Sequence, residues 1–209
     1  MTQKITDRIV CEQWWPTNIY FKDVANYKEI NKELKKNILE WKDKDKGIVR
    51  SNKNGWHSPG DMNKRPKYKI ICDEIIKVAN SIAKNEGYNF NSNHIDIDNM
   101  WANVNPKYSY NKCHTHPNSF FSGVYYVQVP KNSGNICFYD PRTENERMAP
   151  VYDKDKKPLK QCREIGYDAL EGRLIMFPAW LAHDVDINLT DDKDDNRISI
   201  SFNIKQYKN

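Results

Sequence analysis

Arg197-Ile198-Ser199-Ile200-Ser201-Phe202-Asn203-Ile204 is the stretch that decides the fold. Side chains alternate across a β-strand. Ile198, Ile200, Phe202 and Ile204 therefore share one face, while Arg197, Ser199, Ser201 and Asn203 share the other. The apolar face can pack against helices. The polar face, which carries a guanidinium, must look into a wet or liganded space, because an unpartnered buried charge is costly. In a small barrel that interior is where a carboxylate ligand would sit.

Outward from this strand, residues 95–104, 119–129, 134–139 and 172–177 read as further short strands, separated by Pro, Gly, Asn and Asp clusters. The first half of the chain has a different period. Tyr27, Ile30, Leu34, Ile38 and Trp41 recur at helical spacing, and Ile71, Ile75, Val78, Ala79 and Ile82 do so again. Gly47 and Gly87 follow the two runs and suit helix ends. Residues 51–60 form a turn-rich loop, and the charged segment 143–170 reads as an insertion or long loop. No internal repeat is visible. Helices followed by many strands predict an α+β, mainly β chain: an antiparallel jelly-roll or barrel buttressed by helices on one sheet. The expected organisation is a single domain over 1–209, with a helical support region (1–93) and a β core (94–209).

A chain of 209 residues, 38% hydrophobic and 29% charged, is long enough to bury a core. No apolar run approaches the roughly 20 residues of a membrane span. Met1 to Asp7 lack the apolar region of a secretory signal, so a cytoplasmic location is expected. The five cysteines (11, 72, 113, 137, 162) are odd in number and contain no C-x-x-C, which argues against a disulfide framework or a zinc ribbon. The net charge of +5 is interleaved with acids, as in Asp43-Lys44-Asp45-Lys46 and Asp153-Lys154-Asp155-Lys156-Lys157. Such runs read as solvated surface, and no membrane or nucleic-acid partner is expected.

The chemistry gathers at Cys113-His114-Thr115-His116-Pro117 and, far downstream, at Trp180-Leu181-Ala182-His183. Imidazoles at i and i+2 of an extended segment face the same way, and a third from a distant strand can close a set of nitrogen ligands. Imidazole suits Zn, Cu, Fe and Ni, and three protein ligands leave positions open for chemistry. The residues therefore point to a metal-dependent enzyme. Cys113 alternates to the opposite face and is expected as a small buried side chain rather than a thiolate ligand. His57 and His94 are expected as hydrogen-bonded core or surface residues.

The same residues carry a resemblance. From Trp101-Ala102-Asn103 to Arg197-Ile198-Ser199-Ile200-Ser201-Phe202-Asn203, the chain resembles the 2-oxoglutarate/Fe(II)-dependent oxygenases. More narrowly it resembles a prolyl-hydroxylase-like group whose members read H-x-H-P…S-G-V-Y-Y-V…F-P-x-W-L-x-H-x-V…R-I-S-I-S-F-N. Trp15-Pro16-Thr17-Asn18-Ile19-Tyr20 also resembles that group's opening segment. The resemblance implies a double-stranded β-helix holding Fe(II), with 2-oxoglutarate and O2 as co-reactants. It further implies that His114 and His183 bind the metal, and that Arg197, helped by Ser199, grips the distal carboxylate of 2-oxoglutarate. Tyr125 or Tyr126 would point into the barrel beside the cosubstrate, and Asn103 on the neighbouring strand is a further pocket candidate. Trp56, Trp101 and Trp180 are candidate walls. The implied reaction decarboxylates 2-oxoglutarate to succinate and CO2 while hydroxylating a protein or peptide side chain or a small molecule.

The chain departs from the wider superfamily at one position. That superfamily uses H-x-D/E…H, whereas His116 stands here at the carboxylate position. Either three histidines form the site, or His116 and His183 are joined by a carboxylate such as Asp140 or Asp184. The i, i+2 geometry favours three histidines. Two rivals share the pattern: a cupin-like three-histidine metalloenzyme without 2-oxoglutarate, and a non-catalytic jelly-roll module.

Overall fold

Isoleucines on one side of the last strand and polar side chains on the other divide the molecule into its layers. The structure, a computed structural model, describes residues 11, 13–144, 148, 150–153, 162–192 and 195–209. The N-terminal segment 1–7 and the charged run 154–157 lie outside the described residues. The described elements are β1 (Tyr20–Asp23), α1 (Tyr27–Lys42), β2 (Asn52–Lys53), β3 (Trp56–His57), α2 (Lys69–Asn85), β4 (Asn93–Asn105) and β5 (Tyr110–His114). They continue with β6 (Phe121–Gln128), β7 (Ile136–Tyr139), β8 (Glu164–Tyr167), β9 (Arg173–Pro178), β10 (His183–Val185) and β11 (Arg197–Lys208).

Two antiparallel sheets result. The larger has the order β1-β9-β6-β11-β4-β3 and the smaller β2-β5-β10-β7-β8. The spine of the larger sheet is β11, paired with β4 from Arg197 opposite Asn105 to Lys208 opposite Asn93. On its other side β11 pairs with β6.

The buried apolar side chains of the strands fall into two cores. Ile198, Ile200, Phe202 and Ile204 pack with Leu34, Ile38 and Trp41 of α1 and with Ile71, Ile75 and Ala79 of α2. Burying side chains of this size contributes about 1.5–3 kcal/mol each. The second core lies between the sheets and contains Val124, Tyr126, Ile136, Phe138, Ile175 and Phe177. Strand β6 splits the same way, with Phe121, Tyr125 and Val127 on the helix side and Val124 and Tyr126 inside. Gly123 has a steric reason: a Cβ there would come within 2.3 Å of the Phe202 ring.

The two helices and the five long strands fall where the periodicity puts them. Shorter elements differ. Residues 51–60 hold β2 and β3 instead of a plain loop, and β8 lies inside the charged segment 143–170. Three strands thus precede residue 94 and join the sheets. Gly87 follows α2 directly, whereas Gly47 lies five positions beyond Lys42 and runs beneath Trp56. Among the described residues no helix is long and apolar enough to cross a membrane.

Candidate active site

Strands β5 and β10 are neighbours, with His183 directly opposite His114 and their ring centroids 4.4 Å apart. His116, two residues beyond β5, is anchored by its amide donating to the Ala179 carbonyl at 2.9 Å. Its ring lies 5.0 Å from that of His114 and 5.1 Å from that of His183. One ring nitrogen from each histidine falls within 4.8 Å of the others, and the Nε2 atoms of His116 and His183 are 3.3 Å apart. Imidazoles bound at about 2.0–2.1 Å to one cation have nitrogens about 3.0–3.4 Å apart. The donor set therefore fits a first-row metal ion.

Local irregularity orients two of the rings. The β5–β10 register shifts after His183, so that Val185 faces Asn111. Within that shift the Lys112 carbonyl accepts from His114 Nδ1 at 2.6 Å. His183 Nδ1 donates to the Leu181 carbonyl at 2.9 Å. A carbonyl only accepts, so both Nδ1 atoms carry the hydrogen and both Nε2 lone pairs are left for a metal. Burial, aided by the neighbouring imidazoles, lowers the pKa of His116 to about 3 and of His183 to about 4. Burial lowers that of His114 as well. Neutral imidazoles bind a cation without first losing a proton.

The three rings share a cavity of about 50 Å³ with Arg197, Ser199, Tyr126, Asn103, Asn105 and Trp101. Arg197 is 2% exposed, and burial lowers its pKa. Its hydrogen bonds all leave from Nη1, to the carbonyls of Ser133, Gly134 (3.3 Å) and Asp186 (3.4 Å). Among the described residues it forms no ion pair. A Cβ on Gly134 would lie 3.0 Å from Nη1 and 2.6 Å from the Asp186 oxygen, at a φ of +86° that favours glycine. The buried oxygens Asn103 Oδ1 and Asn105 Oδ1 have no hydrogen-bond partner among the described residues, which is uncommon for buried polar atoms.

Most of the expected residues gather here, but Tyr125 does not. Its side chain belongs to the helix-side core, where the hydroxyl donates to Asn31 Oδ1 at 2.7 Å. Tyr126 lines the cavity, and burial raises its pKa to about 12. Cys113 is exposed rather than buried. Asp184 alternates away from the cavity and accepts from the Tyr139 hydroxyl at 2.6 Å. Asp140 is held by Arg142. Of the three tryptophans, Trp101 lines the cavity, Trp56 packs edge-on against Trp41, and Trp180 is exposed. Sequence reasoning missed Asn105 and Asn111, which line the cavity. The cue for Asn105 was its position two residues after Asn103 on the same strand.

A two-sheet β fold with an internal histidine cluster defines the class, and comparison supplies the family. The family model described as "Putative 2OG-Fe(II) oxygenase" matches residues 99–203. The chain belongs to this family of Fe(II)- and 2-oxoglutarate-dependent enzymes. Solved structures share its fold, the double-stranded β-helix. A Pseudomonas putida prolyl-4-hydroxylase is 11% identical with a TM-score of 0.61, covering 90% of this chain and 92% of that one. A Trichoplax adhaerens prolyl hydroxylase, in complex with a hypoxia inducible factor oxygen degradation domain peptide fragment, is 12% identical with a TM-score of 0.59, covering 89% and 82%. HygX from Streptomyces hygroscopicus, with nickel and 2-oxoglutarate bound, is 11% identical with a TM-score of 0.59, covering 90% and 82%. No curated protein matches the chain in sequence.

Proposed function

We propose that His114, His116 and His183 hold Fe(II), and that Arg197, Ser199, Tyr126 and Asn103 hold 2-oxoglutarate, within one oxygenase domain spanning residues 1–209. The observation that carries this reading is a buried guanidinium, without an ion-pair partner among the described residues, in the same cavity as three converging imidazoles. A buried cation of this kind calls for an anion, and a diacid chelating the metal would bring its far carboxylate to that wall. Iron and 2-oxoglutarate held there would supply oxygen activation and oxidative decarboxylation, giving succinate, CO2 and a hydroxylated product.

The chain's own residues bind, orient and exclude water. Three neutral ligands leave the full cationic charge at the site, which favours a dianionic cosubstrate electrostatically. Arg197 meets the distal carboxylate with its remaining N–H groups. Asn103 Nδ2 now donates to Ser201 Oγ at 3.1 Å. An end-for-end turn of that amide keeps the contact, with the Ser201 hydroxyl donating, and offers Nδ2 to the carboxylate. Val124, Ile136 and Phe177 form the apolar part of the wall.

We infer that the substrate is a protein or peptide side chain or a small molecule. The peptide option draws on the Trichoplax neighbour's bound peptide, an argument by analogy. The cysteines, all unpaired, suit a reducing cytoplasm. The test is anaerobic titration with Fe(II) and 2-oxoglutarate, then admission of oxygen with succinate as the readout. Succinate formed by the wild type and not by Arg197→Ala is expected. Turnover indifferent to 2-oxoglutarate would instead favour a cupin-like oxygenase.

A further inference from the structure

The three histidines are not held alike. His114 and His183 each donate from Nδ1 to a main-chain carbonyl two residues earlier. For His116 the contacts to described side chains are ring contacts and the 3.3 Å approach of its Nε2 to His183. Metal-bound histidines almost always donate their second N–H to a carboxylate, carbonyl or water, which fixes tautomer and ring plane. Among the described residues His116 has no such acceptor. It also stands where the wider superfamily carries a carboxylate, a ligand drawn to the metal by charge.

Aromatic rings stack with His116 instead. The Trp101 indole lies over His116 at 5.8 Å with a 26° interplanar angle. His183 stacks on His116 at 5.1 Å and 7°. The indole also stacks with His57, at 5.2 Å and 8°. His57 is itself fixed, buried and with Nδ1 2.6 Å from the Ser58 carbonyl. Trp101 belongs to β4, opposite Ser201 of the spine strand, so the rigid sheet sets its position.

We propose that Trp101, itself stacked with His57, is the positioning residue for His116, holding that ring in the ligating plane by offset ring stacking instead of a hydrogen bond. The proposal rests on the three-histidine reading above. It makes His116 the arm of the site whose orientation depends on an aromatic neighbour. The Nδ1 hydrogens of His114 and His183 are tied to carbonyls, whereas among the described residues that of His116 has no acceptor and should exchange faster.

The test uses the full-length apo protein and Co(II) alone as the probe, followed by Fe(II) without oxygen. Trp101→Leu is expected to weaken Co(II) binding about tenfold, the lower end of effects seen on removing a ligand's outer support, and to change the Co(II) visible spectrum. Trp101→Phe, which restores a ring face, should recover the wild-type spectrum and bind within about threefold of wild type. His57→Leu should shift both readouts in the same direction by less. In the Co(II) proton spectrum, two imidazole N–H signals should exchange slowly and one quickly. Should Trp101→Leu not fold, Trp101→Met, of similar bulk and without a ring, replaces it. A Leu or Met variant with wild-type Co(II) affinity and spectrum overturns the proposal, as does weaker binding with an unaltered spectrum. His114→Ala and His183→Ala in the same assay separate the two levels. If they bind Co(II) like wild type, the metal site itself is wrong. If they lose Co(II) while the Trp101 variants keep it, only the positioning role fails.

Discussion

The two faces of β11 lie in different surroundings. Towards the helices, Ile198, Ile200, Phe202 and Ile204 are all fully buried in a continuous apolar core. Towards the smaller sheet, Arg197, Ser199 and Ser201 line a cavity with orphaned amide oxygens nearby. Both faces are mostly buried, but among the described residues only the helix face is satisfied internally. The helix face completes its contacts with its own chain, while the cavity face keeps polar groups whose partners must come from outside. On the proposed reading, stability and chemistry are carried by alternate residues of one strand, and substitutions should separate them.

The largest effect expected is on the cavity side. His183→Ala should abolish Fe(II) retention and succinate formation while the apo protein still unfolds cooperatively; an active variant would break the division outright. On the other face, Phe202→Ala should cost about 3–5 kcal/mol in urea unfolding, with the KM for 2-oxoglutarate of the folded enzyme unchanged. Arg197→Met should raise that KM about 100-fold, matching the loss of one buried charge-assisted contact. Its unfolding midpoint should move less than that of Phe202→Ala.

Acid sharpens the contrast further. His116 and His183 are held neutral when folded, with pKa values of about 3 and about 4, against about 6.5 when unfolded. Below about pH 6.5 the unfolded chain takes up protons that the folded chain refuses. Apo stability should therefore be complete above that pH and fall progressively towards pH 4. His116→Phe should flatten part of the decline in pH-dependent urea unfolding. The smallest effect compares neighbours on β6. Tyr125→Phe should cost about 1 kcal/mol of stability, the worth of its bond to Asn31, with no change in cosubstrate binding. Tyr126→Phe should do the opposite.

That tyrosine pair shows what a sequence can and cannot disclose. Alternation along 197–204 is legible because one face is purely aliphatic or aromatic and the other purely polar. Along 121–127 both faces are apolar or aromatic, so parity alone does not tell which tyrosine looks inward. Helices α1 and α2 are legible from five recurring apolar positions each. Strands β2, β3 and β10, of two or three residues, are too short to carry any period. The H-x-H…H spacing points to the three histidines that converge, but not to what orients them. The Lys112 carbonyl reaches His114 through a register shift that no side-chain pattern encodes. The cage around Arg197 is likewise built from main-chain atoms of 133, 134 and 186, which any residue type possesses.

That cage also explains why an arginine, and not merely a cation, belongs at position 197. An ammonium has three hydrogens and a guanidinium five. Lysine set among three carbonyl oxygens would exhaust its donors on them and become a sated charge, welcome in the fold and deaf to any visiting diacid. Arginine can satisfy its host at one tip and still keep an edge in reserve for a guest.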